Sequence, residues 1–118
     1  MNIILDSNDY PSSPYPEPYS GALVTQEELK EFIKKTIDQN KQPIVIFGAN
    51  WCPDARLLEG VMRLPTVKSF LESNVNIINI DVGDYEINTA LFKMFDGNIQ
   101  DGIPRVFIMN KMGQNINL

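Results

Sequence analysis

Cys52 is the only cysteine among 118 residues, and the chain has no histidine. Lacking histidine, it has neither the commonest general base nor the commonest metal ligand. One thiol can form neither an internal disulfide nor a cysteine-rich zinc site. A Ser-His-Asp or Cys-His hydrolase is therefore excluded, and chemistry must come from Cys52, carboxylates, amines or tyrosines. Cys52 lies in the run Gly48-Ala49-Asn50-Trp51-Cys52-Pro53-Asp54. Pro53 suits the first turn of a helix, and Asp54 suits the positive end of a helix dipole. The thiol then sits at a helix N-terminus, where unpaired backbone N–H groups favour the thiolate, the nucleophilic form. Asp54 works against this, and Arg56, one turn further in, offsets it.

Holding a thiol there takes a strand before the loop and a helix after it. Ile44-Val45-Ile46-Phe47 is a short, wholly apolar, β-branched run. It reads as a strand buried on both faces, as in a parallel sheet covered by helices. From Asp54 the pattern is helical through Leu57, Leu58, Val61 and Met62 until Pro65. Thr66 then caps a second piece carrying Val67, Phe70 and Leu71. Val75 to Val82 is another apolar strand, and Tyr85 to Phe95 is helical with Ile87, Leu91, Met94 and Phe95 inward. After Gly97 and Gly102, Ile103-Pro104 leads into a strand over Arg105–Met109. A turn at Asn110–Gly113 then brings Gln114–Leu118 back as a hairpin partner. Upstream, Thr25-Gln26-Glu27-Glu28 is a capping box. It opens a helix with Leu29, Phe32, Ile33 and Ile37 on one face, ending near Asn40. The order helix, strand, helix, strand, helix, strand, strand defines an α/β fold, with the first two strands parallel across a helical crossover.

Residues 1–22 differ in composition. Pro11, Pro14, Pro16 and Pro18 stand among Ser, Tyr and Glu, which favours extended chain over helix or central strand. They read as an N-terminal arm beside the domain of residues 23–118, lying on it or mobile, with Tyr10, Tyr15 and Tyr19 packing the arm; a docking peptide for an aromatic groove is the alternative. The 43% hydrophobic content is enough for one core without a staple. The net charge of -5 disfavours nucleic acid and anionic membrane surfaces as partners. No run approaches the ~20 apolar residues of a membrane span. MNIILDSNDY has neither the basic start nor the apolar core of a signal peptide, which points to the cytoplasm for the chain as written. A periplasmic or secreted chain whose leader had been removed would read the same way.

A buried strand followed by Ala49-Asn50-Trp51-Cys52-Pro53-Asp54 and a helix resembles the thioredoxin active-site loop, whose pattern is WCxxC. Gly102-Ile103-Pro104 before a strand resembles that family's cis-proline loop, and Asn79-Ile80-Asp81 matches its pattern at the end of the intervening strand. The resemblance spans residues 23–118. It implies a thioredoxin-like three-layer α/β/α sandwich with a mixed sheet, in which the chain stops before the family's final helix. Four positions depart from the pattern. Ala55 stands in place of the second, resolving cysteine, and Ile46 where a buried acid often assists that cysteine. Gly60 replaces the helix-kinking proline, and Arg105 follows Pro104 where a threonine is usual.

The position in this loop turns a lone cysteine, ordinarily an inert buried hydrophobe, into a candidate nucleophile. The resemblance implies monothiol exchange through Cys52, without a bound cofactor. Trp51, Pro53, Ile103, Pro104 and Arg105 would lie on the substrate side. The partners would be protein thiols, or glutathione as co-substrate with Arg105 steering its carboxylates. Two alternatives stay open: a redox-inactive binding module using the same surface, and a dithiol enzyme whose resolving cysteine was replaced by Ala55 to trap mixed disulfides.

Overall fold

The computed structural model describes residues 11–96 and 102–117; Tyr10, Gly97 and Leu118, named above, lie outside them. The first helix, α1 (Gln26–Asp38), starts at the expected capping box. Thr25 Oγ1 accepts from Glu28 N–H at 3.0 Å, and Glu28 Oε1 accepts from Thr25 N–H at 3.1 Å. The next elements are β1 (Gln42–Gly48), α2 (Pro53–Met62), α3 (Pro65–Asn74) and β2 (Val75–Asp81). A 3-10 helix (Thr89–Met94) and β3 (Arg105–Ile108) complete the order.

The sheet runs β2-β1-β3. β1 pairs with β2 in parallel, from Gln42 opposite Val75 to Gly48 opposite Asp81. It pairs with β3 antiparallel, with Ile44 opposite Ile108 and Phe47 opposite Arg105. β1 is thus the central strand, and its uninterrupted apolar sequence is explained by burial on both faces. Side chains alternate across a strand. Val45 and Phe47 enter the main core with Leu29, Leu91, Phe92, Phe95 and Phe107, on the side of α1 and the 3-10 helix. Phe47 is its hub, 4.4 Å between ring centres from Phe92 and 5.8 Å from Phe107. Ile46, 1% exposed, faces the other way and is buried there too.

Four local expectations are corrected. The helix expected over Tyr85–Phe95 shrinks to the 3-10 helix, because Tyr85 and Asn88 adopt left-handed backbone, φ 67° and 58°. Asn88 is held there by its own amide, which donates to the Ala22 and Asp81 carbonyls and accepts from Val24 N–H. The tighter winding turns Phe92 inward as well, beside Leu91 and Phe95. The cap of α3 is Leu64 rather than Thr66, with Pro65 in the first turn. In α2 the buried residues are Ala55 and Gly60, while Leu57 is exposed. The arm lies over the Gly60 side and supplies the cover there, with Pro11, Tyr15 and Pro16 against it. Among the described residues, the hairpin partner expected over Gln114–Leu118 reduces to one bridge, Met109 to Asn115. The Asn117 amide replaces a neighbouring strand, accepting from Ile108 N–H at 2.9 Å and donating to the Val106 carbonyl at 2.7 Å. Among the described residues no helix follows β3.

Candidate active site

The C-terminal end of β1 delivers the thiol. After Gly48 the chain turns, and Cys52 N–H donates to the Ala49 carbonyl at 3.1 Å. Cys52 is the N-cap of α2, in extended backbone with φ -91° and ψ 112°; Pro53 occupies the first turn. The Cys52 carbonyl accepts from Arg56 N–H at 3.1 Å, closing the first turn. The side chain makes no cap bond to its own helix. Instead the sulfur lies 3.6 Å from the Ile103 carbonyl, to which the thiol donates. The Ile103–Pro104 peptide is cis. Strand end and proline loop, 51 residues apart in the chain, thereby meet at the sulfur.

Cys52 is 7% exposed and packs with Tyr19 and Ala55, with Ile103 against the group. Ala55 is itself buried. The position the family gives to a second thiol points inward beside Cys52 and holds a methyl group. Pro53 and Asp54 are exposed at the mouth of the helix. Trp51 is 52% exposed, yet it is fixed: Nε1 donates to the Gly83 carbonyl at 2.7 Å. Its ring meets Tyr85 edge-on at 5.8 Å. The two aromatic rings form a rim beside the thiol.

Arg105, expected to steer an anion, is engaged elsewhere. Its Nη2 donates to Asp96 Oδ2 at 2.8 Å, and both side chains are only 16% exposed. The guanidinium lies over Phe107 and Phe92, 4.9 and 5.7 Å from the ring centres. A cation held this way fastens β3 to the segment after the 3-10 helix and is not free to meet a ligand carboxylate.

Several site residues escaped the sequence reading. Asn50 and Tyr19 form a reciprocal pair: Tyr19 N–H donates to Asn50 Oδ1 at 3.0 Å, and Asn50 Nδ2 donates to the Tyr19 carbonyl at 2.7 Å. Asp81 accepts from Gly21 N–H and from Gly83 N–H, tying the arm and the Trp51 rim to the end of β2. Gly48 was the available signal, because a glycine ending an otherwise β-branched strand marks a close approach. A Cβ on Gly48 would stand 2.5 Å from Tyr19 Cζ. Burial pushes the Tyr19 phenol above its ordinary range, with the charges of Glu59, Cys52 and Asp81 adding to the effect. No group of three or more metal-ligating side chains occurs among the described residues.

A strand, a tryptophan-cysteine turn capping a helix, and a cis-proline facing the sulfur define a thioredoxin-like site. The thioredoxin family model matches residues 17–118, and the chain belongs to that family. Among solved structures, the chain is similar to a disulphide isomerase from Xylella fastidiosa Temecula1 at 29% identity and a TM-score of 0.75. The match covers 86% of this chain and 77% of that one. No curated protein sequence matches. The chain is therefore a thioredoxin-like protein of the thiol–disulfide oxidoreductase kind.

Proposed function

We propose that this protein carries out monothiol exchange through Cys52. The observation that carries this reading is the placement of a single sulfur at the α2 N-terminus, 3.6 Å from the Ile103 carbonyl, with a methyl group at position 55. The Cys52 thiolate attacks one sulfur of a disulfide R–S–S–R′. A bond forms between Cys52 and the R sulfur, and R′ leaves as thiolate. Because Ala55 offers no second thiol, the adduct waits for an outside thiol, such as a protein cysteine or glutathione. That thiol attacks the R sulfur, takes R away as a new disulfide and returns Cys52 to its thiolate. Trp51 and Pro53 bound the mouth of the site, and the Ile103–Pro104 backbone offers an edge to an extended partner. Arg105, tied to Asp96, shapes that edge through the fold.

Converting Ala55→Cys tests this reading, with reduction of a protein disulfide by dithiothreitol as the assay. The wild type adds little to the uncatalysed rate, and the variant gains dithiol catalysis. No gain in a folded variant would mean that position 55 is not the resolving position. A second reading, a binding module without turnover, draws on the burial of Cys52. It predicts a folded protein whose thiol stays unmodified by disulfides while partner binding persists in Cys52→Ser.

A further inference from the structure

The arm is joined to the thiol helix at several points. Arg56 Nη2 donates to the Tyr15 carbonyl at 2.7 Å and Nε to the Pro16 carbonyl at 3.3 Å. Its guanidinium also lies 3.7 Å from the Glu17 carboxylate. One turn further along α2, Gly60 takes the arm so closely that a Cβ there would be 3.1 Å from Pro11 Cβ. The other end is pinned by the Asn50 amide and by Asp81, which accepts from Gly21 N–H at 2.8 Å. All these anchors sit on parts that hold the thiol: α2, the turn before Cys52 and the adjoining end of β2.

Between the anchors the Tyr19 ring enters the notch that Gly48 leaves open, and it is 6% exposed. There it forms one buried cluster with Cys52 and Ala55. Gly48 has no positive φ to require a glycine; the reason for glycine is the ring itself. Displacement at a disulfide also has a steric demand, because attacking, central and leaving sulfurs must approach a line. With the Ile103 carbonyl 3.6 Å from the sulfur, the Tyr19 ring in the same buried cluster and Cys52 only 7% exposed, little room is left for a partner's approach.

We propose that Tyr19 is a specificity-determining residue for exchange at Cys52, its ring forming the wall beside Cys52 and Ala55 that selects slender disulfides over bulky ones. The proposal rests on the reading of Cys52 as an exchange nucleophile. The test compares the rate of mixed-disulfide formation at Cys52 with cystamine and with glutathione disulfide. Each rate is divided by that of the same chain unfolded in urea, which removes the reagents' intrinsic difference. Tyr19→Ala raises the glutathione-to-cystamine ratio by on the order of tenfold, the size of a steric discrimination in a packed pocket. Tyr19→Phe, which keeps the ring, retains the wild-type ratio. Gly48→Ala, whose Cβ expels the ring, shifts the ratio as Tyr19→Ala does and serves if that variant folds poorly.

Melting temperatures are recorded alongside, because a purely structural role for Tyr19 would lower them without moving the ratio. An unchanged ratio in folded Tyr19→Ala and Gly48→Ala overturns the proposal while leaving monothiol exchange intact. A wild type inert to both reagents beside a reactive Tyr19→Ala supports the wall and contradicts exchange by the intact chain. Inertness of every folded variant overturns both.

Discussion

The main core and the thiol cluster are built in opposite ways. In the core, large apolar groups from α1, all three strands and the 3-10 helix converge on Phe47, and four phenylalanines interlock. In the cluster only a few groups gather round the thiol: Ala55 from its own helix, Tyr19 from the arm and Ile103 from the proline loop. The core removes much apolar area from water and drives folding. The cluster removes little, and polar bonds of the backbone and of Asn50, Asp81 and Arg56 hold it in shape. Stability and chemistry should therefore be separable by mutation.

The largest effect expected is Phe47→Ala, about 3–5 kcal/mol of lost stability by urea denaturation, the usual cost of deleting a core phenylalanine. If the variant's folded fraction still reacts at Cys52 at the wild-type rate, the separation holds; a parallel collapse of reactivity would break it. Arg105→Ala comes next, at about 1–3 kcal/mol, since it removes a charge-assisted bond to Asp96 and the packing of the guanidinium on Phe92 and Phe107. It should leave exchange with glutathione disulfide within about twofold, because the guanidinium is committed inside the fold. A selective loss with glutathione, absent with cystamine, would return Arg105 to the substrate side. Thr25→Ala removes one half of the capping box and should cost about 1 kcal/mol in the same denaturation, with no change at the thiol.

The last prediction concerns pH. The folded Tyr19 phenol titrates above the ordinary value of 10.0 that it regains on unfolding. Its contribution is intact below pH 10.0 and is lost as the pH climbs from there towards the raised folded value. Tyr19→Phe should therefore lose less stability than the wild type on going above pH 10.0. Equal alkaline slopes for the two proteins would show that the phenol is not held in its buried place.

Much of this was legible in the residues because it is local. The β-branched run of β1, the Thr25 capping box and the Trp-Cys-Pro turn each carry their own signal within a few positions. So does Ile103-Pro104, once the loop before it is placed. Apart from the α3 cap, the errors involve side chains whose partners lie outside their own element. Asn88 holds a left-handed turn through bonds to Ala22 and Val24, more than sixty residues away, and thereby shortens the helix expected from Tyr85. Asn117 replaces a strand with its amide. Tyr19 was expected only to pack the arm, and the notch that receives it is made by Gly48, 29 positions later. Arg105 read as a free cation because its acid, Asp96, belongs to a turn whose course periodicity does not fix.

Mass spectrometry of the folded protein after exposure to excess cystamine tests the central claim most directly. The account predicts one adduct per chain, on Cys52, that persists after the reagent is removed and is released only when an outside thiol is added. A folded protein that takes up no adduct, and is modified only once urea unfolds it, would contradict monothiol exchange at Cys52.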